Sequence, residues 1–269
     1  MVYKMEYNYH SHTTLSHHAV GTERAYIERA IAAGIQEMGF SDHAPWWAKD
    51  GQYVTPEGRQ YTYCMFYEDV PKYVATLRAL REEYRDRIAL HIGFETEYFQ
   101  GSYPARLDEF RALGAEYLIL GNHFILDGAG NEFYVGGNHG RMDLLPYYVD
   151  AIVEGIGTGA FTYVAHPDVF GCFEQKDEDF YRAEMRRLCQ ASRAHGVPLE
   201  INFLGIRTSR YYPTPLFWQL AGEVGCPVTF GMDAHDPDGA ADLASLPAAM
   251  AMVERYGLNY VGKPRLVRI

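Results

Sequence analysis

Imidazoles and carboxylates recur in this chain at spacings that suit a shared metal site. They enter as His10-Ser-His12, then His18, His43, His123, His166 and Asp233-Ala-His235, with Glu95 between. Each pair separated by one residue closes a run that reads as a β-strand. Residues i and i+2 of a strand point to the same side, so both members of a pair can face one pocket. Nitrogen and oxygen donors with no thiolate among them favour zinc, iron or manganese over a thiolate-rich structural site. Two inward imidazoles at His10 and His12 are costly in a core unless something binds them, and a carboxylate such as Asp233 at the end of an apolar strand needs a partner. Spacing leaves two choices open: Glu95 or Glu97, which share a strand face, and His17 or His18, which are adjacent. Ser41-Asp42-His43 reads as donors or as a turn. His91, His139 and His195 read as ordinary structural histidines, and Asp177-Glu178-Asp179 as the solvated first turn of a helix.

The elements that must position these groups alternate along the chain. Strands are expected at 5–10, 35–41, 88–95, 116–122, 161–165, 197–203 and 227–232. Helical patterns fall between them, at 22–33, 68–84, 104–112, 142–156, 178–194, 215–224 and 245–256. Thr22 and Pro213-Thr214-Pro215 mark helix starts, and Gly34 and Gly225 suit helix ends. Seven βα repeats without an interior linker imply a parallel sheet. An open doubly wound sheet would bring donors from only a few strands to one crevice. Donors spread over six strand ends converge only if the sheet closes, and in such barrels functional residues gather at the carboxyl ends of the strands. The expectation is an α/β barrel.

The bulk numbers fit that size. The chain has 269 residues and 48% hydrophobic content, enough for one large domain. Its apolar runs are too short to span a bilayer, and the first ten residues carry no signal-peptide pattern, so a soluble cytoplasmic protein is expected. Cys64, Cys172, Cys189 and Cys226 are scattered and read as reduced thiols. The formal charge of −11 argues against a grip on long nucleic acid. It does not argue against a small anion, because bound divalent ions would reverse the local field.

The motifs resemble those of the polymerase-and-histidinol-phosphatase (PHP) superfamily, and within it the metal-dependent histidinol-phosphate phosphatases. The resemblance runs nearly end to end: HSHTTLSHH, FSDHAPW, HIGFETEYF, LGNHFI, VAHPDVF, LEINFLGIR and TFGMDAHDP. It implies a distorted (β/α)7 TIM-like barrel, with residues 1–269 as one domain, and a trinuclear centre of divalent zinc, iron or manganese. Carried over by motif, His10 and His12 would hold one ion with Glu95 and Asp233. Glu95 would bridge to a second ion held by His123 and His166, and His18, His43 and His235 would hold the third. The resemblance thus favours Glu95 and His18 where spacing could not choose. Arg207, closing a segment like the family's EIN-x-x-G-x-R, would meet the phosphate, with Arg141 as a further candidate. Three departures stand out, one being LGNHFI, which differs from the family's usual small-residue lead into His123. Asn8 occupies the place of the family's usual Asp, and its amide would accept from an imidazole with less effect on ligand basicity. Phe203-Leu204 replaces smaller, more polar residues.

The implied reaction is hydrolysis of L-histidinol phosphate, a step of histidine biosynthesis, through a metal-bridging hydroxide. Asp233 would handle the proton, and His235 completes the catalytic pair. The alternative is a PHP phosphoesterase acting on another small phosphate monoester or a short oligonucleotide. Segment 44–67, rich in Trp, Tyr and Phe, reads as a lid or binding element, with Asp50, Glu57 or Asp69 available to meet an amino group. The Gly-rich stretch 128–140 reads as a flexible loop over the pocket.

Overall fold

The computed structural model describes residues 4–45, 64–99, 103–137, 140–170 and 174–269. Along the chain these form β1 (Tyr7–Asn8), α1 (Glu23–Ala32), β2 (Glu37–His43), α2 (Val70–Tyr84), β3 (Ala89–Thr96), α3 (Tyr103–Leu113) and β4 (Tyr117–Leu120). A hairpin follows, β5 (Phe124–Leu126) and β6 (Glu132–Tyr134), and then α4 (Leu145–Gly157), β7 (Phe161–Val164), α5 (Glu178–His195) and β8 (Leu199–Asn202). The last elements are α6 (Phe203–Arg207), α7 (Pro215–Val224), β9 (Pro227–Gly231), α8 (Leu246–Tyr256) and β10 (Asn259–Tyr260). All seven expected strands and all seven expected helices are present.

Local chemistry explains the boundaries. Thr22 caps α1 by accepting the Ala25 amide at 3.2 Å, satisfying a donor the helix itself leaves open. Pro215 opens α7, and Gly225 ends it at φ 78°, a left-handed conformation that glycine adopts without strain. Helix α5 buries Tyr181, Met185, Leu188, Cys189 and Ser192, one stripe at helical spacing. Each large apolar side chain fully withdrawn from water contributes about 1.5–3 kcal/mol.

One parallel sheet runs in the order β1-β2-β3-β4-β7-β8-β9-β10. It curls until its first and penultimate strands meet. Beyond β1 and β9, Ser11 bridges Ala234 in parallel, with His12 N donating to Ala234 O at 2.9 Å and Ala234 N to His10 O at 3.1 Å. At the opposite end β10 lies against the start of β9 instead. The barrel therefore closes at the carboxyl ends of its strands. Strands β4, β7 and β8 are buried throughout, as expected where both faces are covered.

Three features depart from the sequence reading. The Gly-rich stretch is partly built into the β5–β6 hairpin, whose turn is tied by Asp127 accepting from the amides of Ala129 and Asn131 at 2.9 and 2.8 Å. Phe203 is not strand but the first residue of α6, capped by Asn202 accepting from Gly205 N at 3.0 Å. The eighth strand, β10, is too short to leave a periodic signal. Most of segment 44–67, with Asp50 and Glu57, lies outside the described residues, as do His139 and Cys172. Among the described residues, Cys64, Cys189 and Cys226 form no disulfide. Among the described residues no helix is long and apolar enough to cross a membrane.

Candidate metal centre

Buried polar side chains concentrate at the closing end of the barrel. His10, His12, Glu95, His166 and Asp233 are all buried there, arriving from the ends of β1, β3, β7 and β9. His43 ends β2, and His123 follows β4. Glu95 is the hub. Its Oε2 lies 3.3 Å from His10 Nε2, 3.5 Å from His12 Nε2 and 3.1 Å from His43 Nδ1. Its Oε1 lies 2.8 Å from His166 Nε2 and 3.7 Å from His123 Nε2. Asp233 Oδ1 faces His12 Nε2 at 3.1 Å, His235 Nδ1 at 3.4 Å and His10 Nε2 at 3.5 Å. Gly121 makes room for the hub, since a Cβ there would stand 1.9 Å from Glu95 Oε1.

The two pairs that spacing left open are placed differently. The His18 ring lies 4.8 Å from that of His235 and 5.2 Å from that of His43, whereas the His17 ring packs on Phe66. Glu95 faces the cluster. Glu97 turns to His123, accepting its backbone amide at 2.8 Å and standing 3.2 Å from its Nδ1. Asp42 and His43 are the last two residues of the strand β2 and not part of a turn or helix cap. His91 pairs with Glu37 away from the cluster, at 2.9 Å.

Charge and burial work against each other here. Burial favours neutral acids, but His43, His10 and His123 outweigh it at Glu95, and His10 and His235 at Asp233, holding both carboxyls well below the usual range. Burial also opposes a charged His12, yet hydrogen bonds to Asp233 and Asp42 raise it to about 9. At His235 burial dominates, with the nearby His12 adding to it, and the value falls to about 3.

Nitrogen and oxygen donors of this kind fit a divalent ion. His10 Nδ1 is taken by Glu200 at 2.8 Å, so a neutral His10 turns the lone pair of Nε2 toward the oxygens of Glu95 and Asp233. Burial opposes a charge there, yet Glu200, Asp233 and Glu95 raise His10 well above the ordinary histidine value, so a proton or a metal cation has to stand between these groups. His166 Nδ1 is buried without a hydrogen-bond partner among the described residues. Among the described residues, four donor triplets have atoms within 4.8 Å of one another: His10–His12–Glu95, His10–His166–Asp233, His43–Glu95–His123 and His12–His43–His235. These sets overlap, so the donors can hold several ions. Their grouping is more interleaved than the three sets expected from motifs, of which two share Glu95, and His18 joins them through its ring contacts. The backbone is also unusual at two donors, with φ 46° at Asp233 and 29° at His166, conformations that non-glycine residues rarely adopt.

A cavity of about 310 Å³ opens beside the cluster, lined by His18, His43, Glu95, His123, Asp233 and His235. Its outer wall carries Phe99, Phe124, Tyr134, Tyr211 and Tyr212, with Glu97, Arg106 and Arg210. Neither arginine expected at the phosphate stands on this wall. Arg207 donates to the carbonyls of Met232 and Asp233, and Arg141 to the Asp143 carboxylate at 2.8 and 2.9 Å. Asp69 begins α2 away from the cavity. Asn8 also differs from expectation. Its oxygen accepts the backbone amides of His10 and Met232, both at 3.1 Å, and not an imidazole. Sequence reasoning missed Glu200, Asp42 and Glu97 as acids behind the histidines. Glu200 was visible only as the acid of the LEIN strand.

Comparisons with known proteins agree with this geometry. A family model described as PHP domain matches residues 8–203. A Deinococcus radiodurans protein named probable histidinol-phosphatase is 30% identical over 85% of this chain and 85% of its own length. The histidinol-phosphatase of Lactococcus lactis is 22% identical over 95% of this chain and 92% of its own. A crystal structure of the Lactococcus lactis histidinol phosphate phosphatase, described as complexed with zinc, L-histidinol and phosphate, has the same fold. It aligns with a TM-score of 0.66 and 18% identity over 95% of each chain. The family match spans most of the barrel and every expected donor except Asp233 and His235, and on that ground this chain belongs to the PHP domain family.

Proposed function

We propose that this protein is a cytoplasmic metal-dependent phosphatase that hydrolyses L-histidinol phosphate to L-histidinol and phosphate. The carrying observation is one donor cluster, formed by His10, His12, His43, Glu95, His123, His166, Asp233 and His235 with the His18 ring against it, beside a cavity that also carries guanidinium groups and aromatic rings. The names of the relatives and the ligands of the Lactococcus lactis structure favour this ester over others.

In this reading His10, His12, Glu95 and Asp233 hold one ion, Glu95, His123 and His166 a second, and His18, His43 and His235 a third. Zinc, iron and manganese all suit the donors. Bound there, such ions would neutralise the ester oxygens and supply a nucleophile at neutral pH. The chain's own groups do the rest. Arg210 extends a planar fork of donors over the cavity, steadied by the Tyr212 hydroxyl at 3.2 Å, and meets the non-bridging oxygens. Asp233, ionised across the working range, accepts a hydrogen bond from the attacking water and orients it. His235, whose low value keeps it neutral, completes the donor set beside it. Arg207 reaches the phosphate only if it leaves the carbonyls it now holds, and Arg141 only by leaving Asp143. Phe99, Phe124 and Tyr134 give the imidazole of the leaving alcohol an apolar face, with the Glu97 carboxylate nearby for its amino group.

The test is phosphate release from a panel of monoesters by zinc-loaded and chelator-treated protein. Turnover should require metal and be fastest on L-histidinol phosphate. Metal-dependent turnover of other esters or short oligonucleotides, with none on this one, would retire the substrate and keep the chemistry. No turnover on any ester would end the proposal.

A further inference from the structure

We infer that Glu200 is a positioning residue of the metal centre, acting through the imidazole of His10. The acid lies in β8 with no exposed surface. Its Oε1 stands 2.8 Å from His10 Nδ1. Its Oε2 accepts the His166 backbone amide and the Asn202 side chain, both at 3.0 Å. Asn202 also donates to Asp233 Oδ2 at 3.0 Å. One carboxylate thus binds the end of β1 to the turn after β7 and, through Asn202, to the end of β9.

Its seat is built for it. A Cβ on Gly231 would stand 1.7 Å from Glu200 Oε1, so any other residue there would evict the carboxylate. Asp42 and Glu97 stand behind His12 and His123 at 3.4 and 3.2 Å, farther than Glu200 stands from His10.

The consequence for His10 is chemical. With Nδ1–H given to a carboxylate, a neutral imidazole has one tautomer, and its lone pair on Nε2 faces Glu95 and Asp233. A carboxylate behind the ring also makes that nitrogen a stronger donor to a metal than an amide would. Asn8, the residue expected behind His10 from the first motif, spends its oxygen on two backbone amides. Glu200 is the group in contact with the ring.

This inference rests on the reading of the cluster as a metal centre, and the experiment separates the two. The full chain is stripped with a chelator and titrated with zinc in competition with a chromophoric chelator, alongside Glu200→Gln and Gly231→Ala. Melting of each metal-free protein and the visible spectrum of each cobalt-loaded one are recorded in parallel. Glu200→Gln should melt near the unaltered chain, bind zinc about 10–100-fold more weakly, and shift the cobalt bands. Gly231→Ala, which displaces the acid without removing its charge, should show the same loss. Zinc affinity equal to that of the unaltered chain in Glu200→Gln overturns the inference alone. A fall in metal-free melting in both variants, with unchanged affinity in the folded fraction, assigns Glu200 to the fold and also overturns it. If the unaltered chain itself holds no zinc, the metal-centre reading fails and takes this inference with it.

Discussion

Arg207 donates to two consecutive main-chain carbonyls, those of Met232 and Asp233, at the point where the Asp233 backbone turns left-handed. A non-glycine residue in that conformation costs about 1–3 kcal/mol and persists only where its surroundings hold it. The guanidinium is braced in turn by Asp242 at 3.6 Å. Arg207→Ala should lower stability by about 2–4 kcal/mol, the scale of losing charged hydrogen bonds at a partly buried site. Chemical denaturation reads that loss, and zinc retention should fall with it. Unchanged stability with a raised KM would instead place this guanidinium on the substrate.

Arg210 predicts the opposite pattern. It is exposed, lines the cavity and contacts Tyr212, so little of the fold depends on it. Arg210→Ala should leave melting and zinc content as they were. Inhibition by inorganic phosphate should weaken about 10–100-fold, the equivalent of one charge-assisted hydrogen bond. An unchanged inhibition constant would remove Arg210 from the phosphate site.

Metal removal should be visible in stability as well as in turnover. An ion that binds only the folded state adds about 2.7 kcal/mol at a hundredfold excess over its dissociation constant. Chelation should therefore lower the melting temperature, and zinc should restore it in a concentration-dependent way. Equal melting curves with and without chelator would contradict the buried donor set.

The metal-free protein should be most stable near pH 6.5. His12 is raised to about 9, so its contribution is full below the ordinary histidine value of 6.5 and is lost as pH rises toward 9. His235 is lowered to about 3, so its contribution is present above 6.5 and is lost as pH falls toward 3. Glu95 and Asp233, both depressed, add to the loss on the acid side. Urea melts of chelated protein across this range test it. A plateau extending through pH 9 would show that His12 is not charged in the fold.

How much of this was legible in the sequence follows from what kind of signal each feature leaves. The βα repeats and the donors from His10 to His235 show because strand alternation and helix spacing are local, and because imidazoles at strand ends are conspicuous. Glu200 did not show, for an acid inside an apolar strand has many readings until a Gly231 notch and a distant His10 are seen around it. The sequence singled out Arg207 and passed over Arg210 for a related reason. Three residues apart, they differ in whether the carbonyls just after β9 lie within reach, and pairings across the barrel leave no local trace. The β5–β6 hairpin was hidden by its glycines, which read as looseness where Asp127 makes a tight turn.

The seam between Ser11 and Ala234 sets an order on how the protein can be made. The first motif emerges early in synthesis, yet its neighbour lies more than two hundred residues downstream, as the Asn8–Met232 contact at a separation of 224 shows. Contacts that distant form slowly, because the intervening chain must be ordered before they repay it. His10 and His12 therefore wait as unpaired, water-exposed groups on the nascent chain until β9 arrives. Scavenging of metal by an unfinished polypeptide is then a hazard of this topology, and the arrival of β9, second to last of the strands, is what ends it.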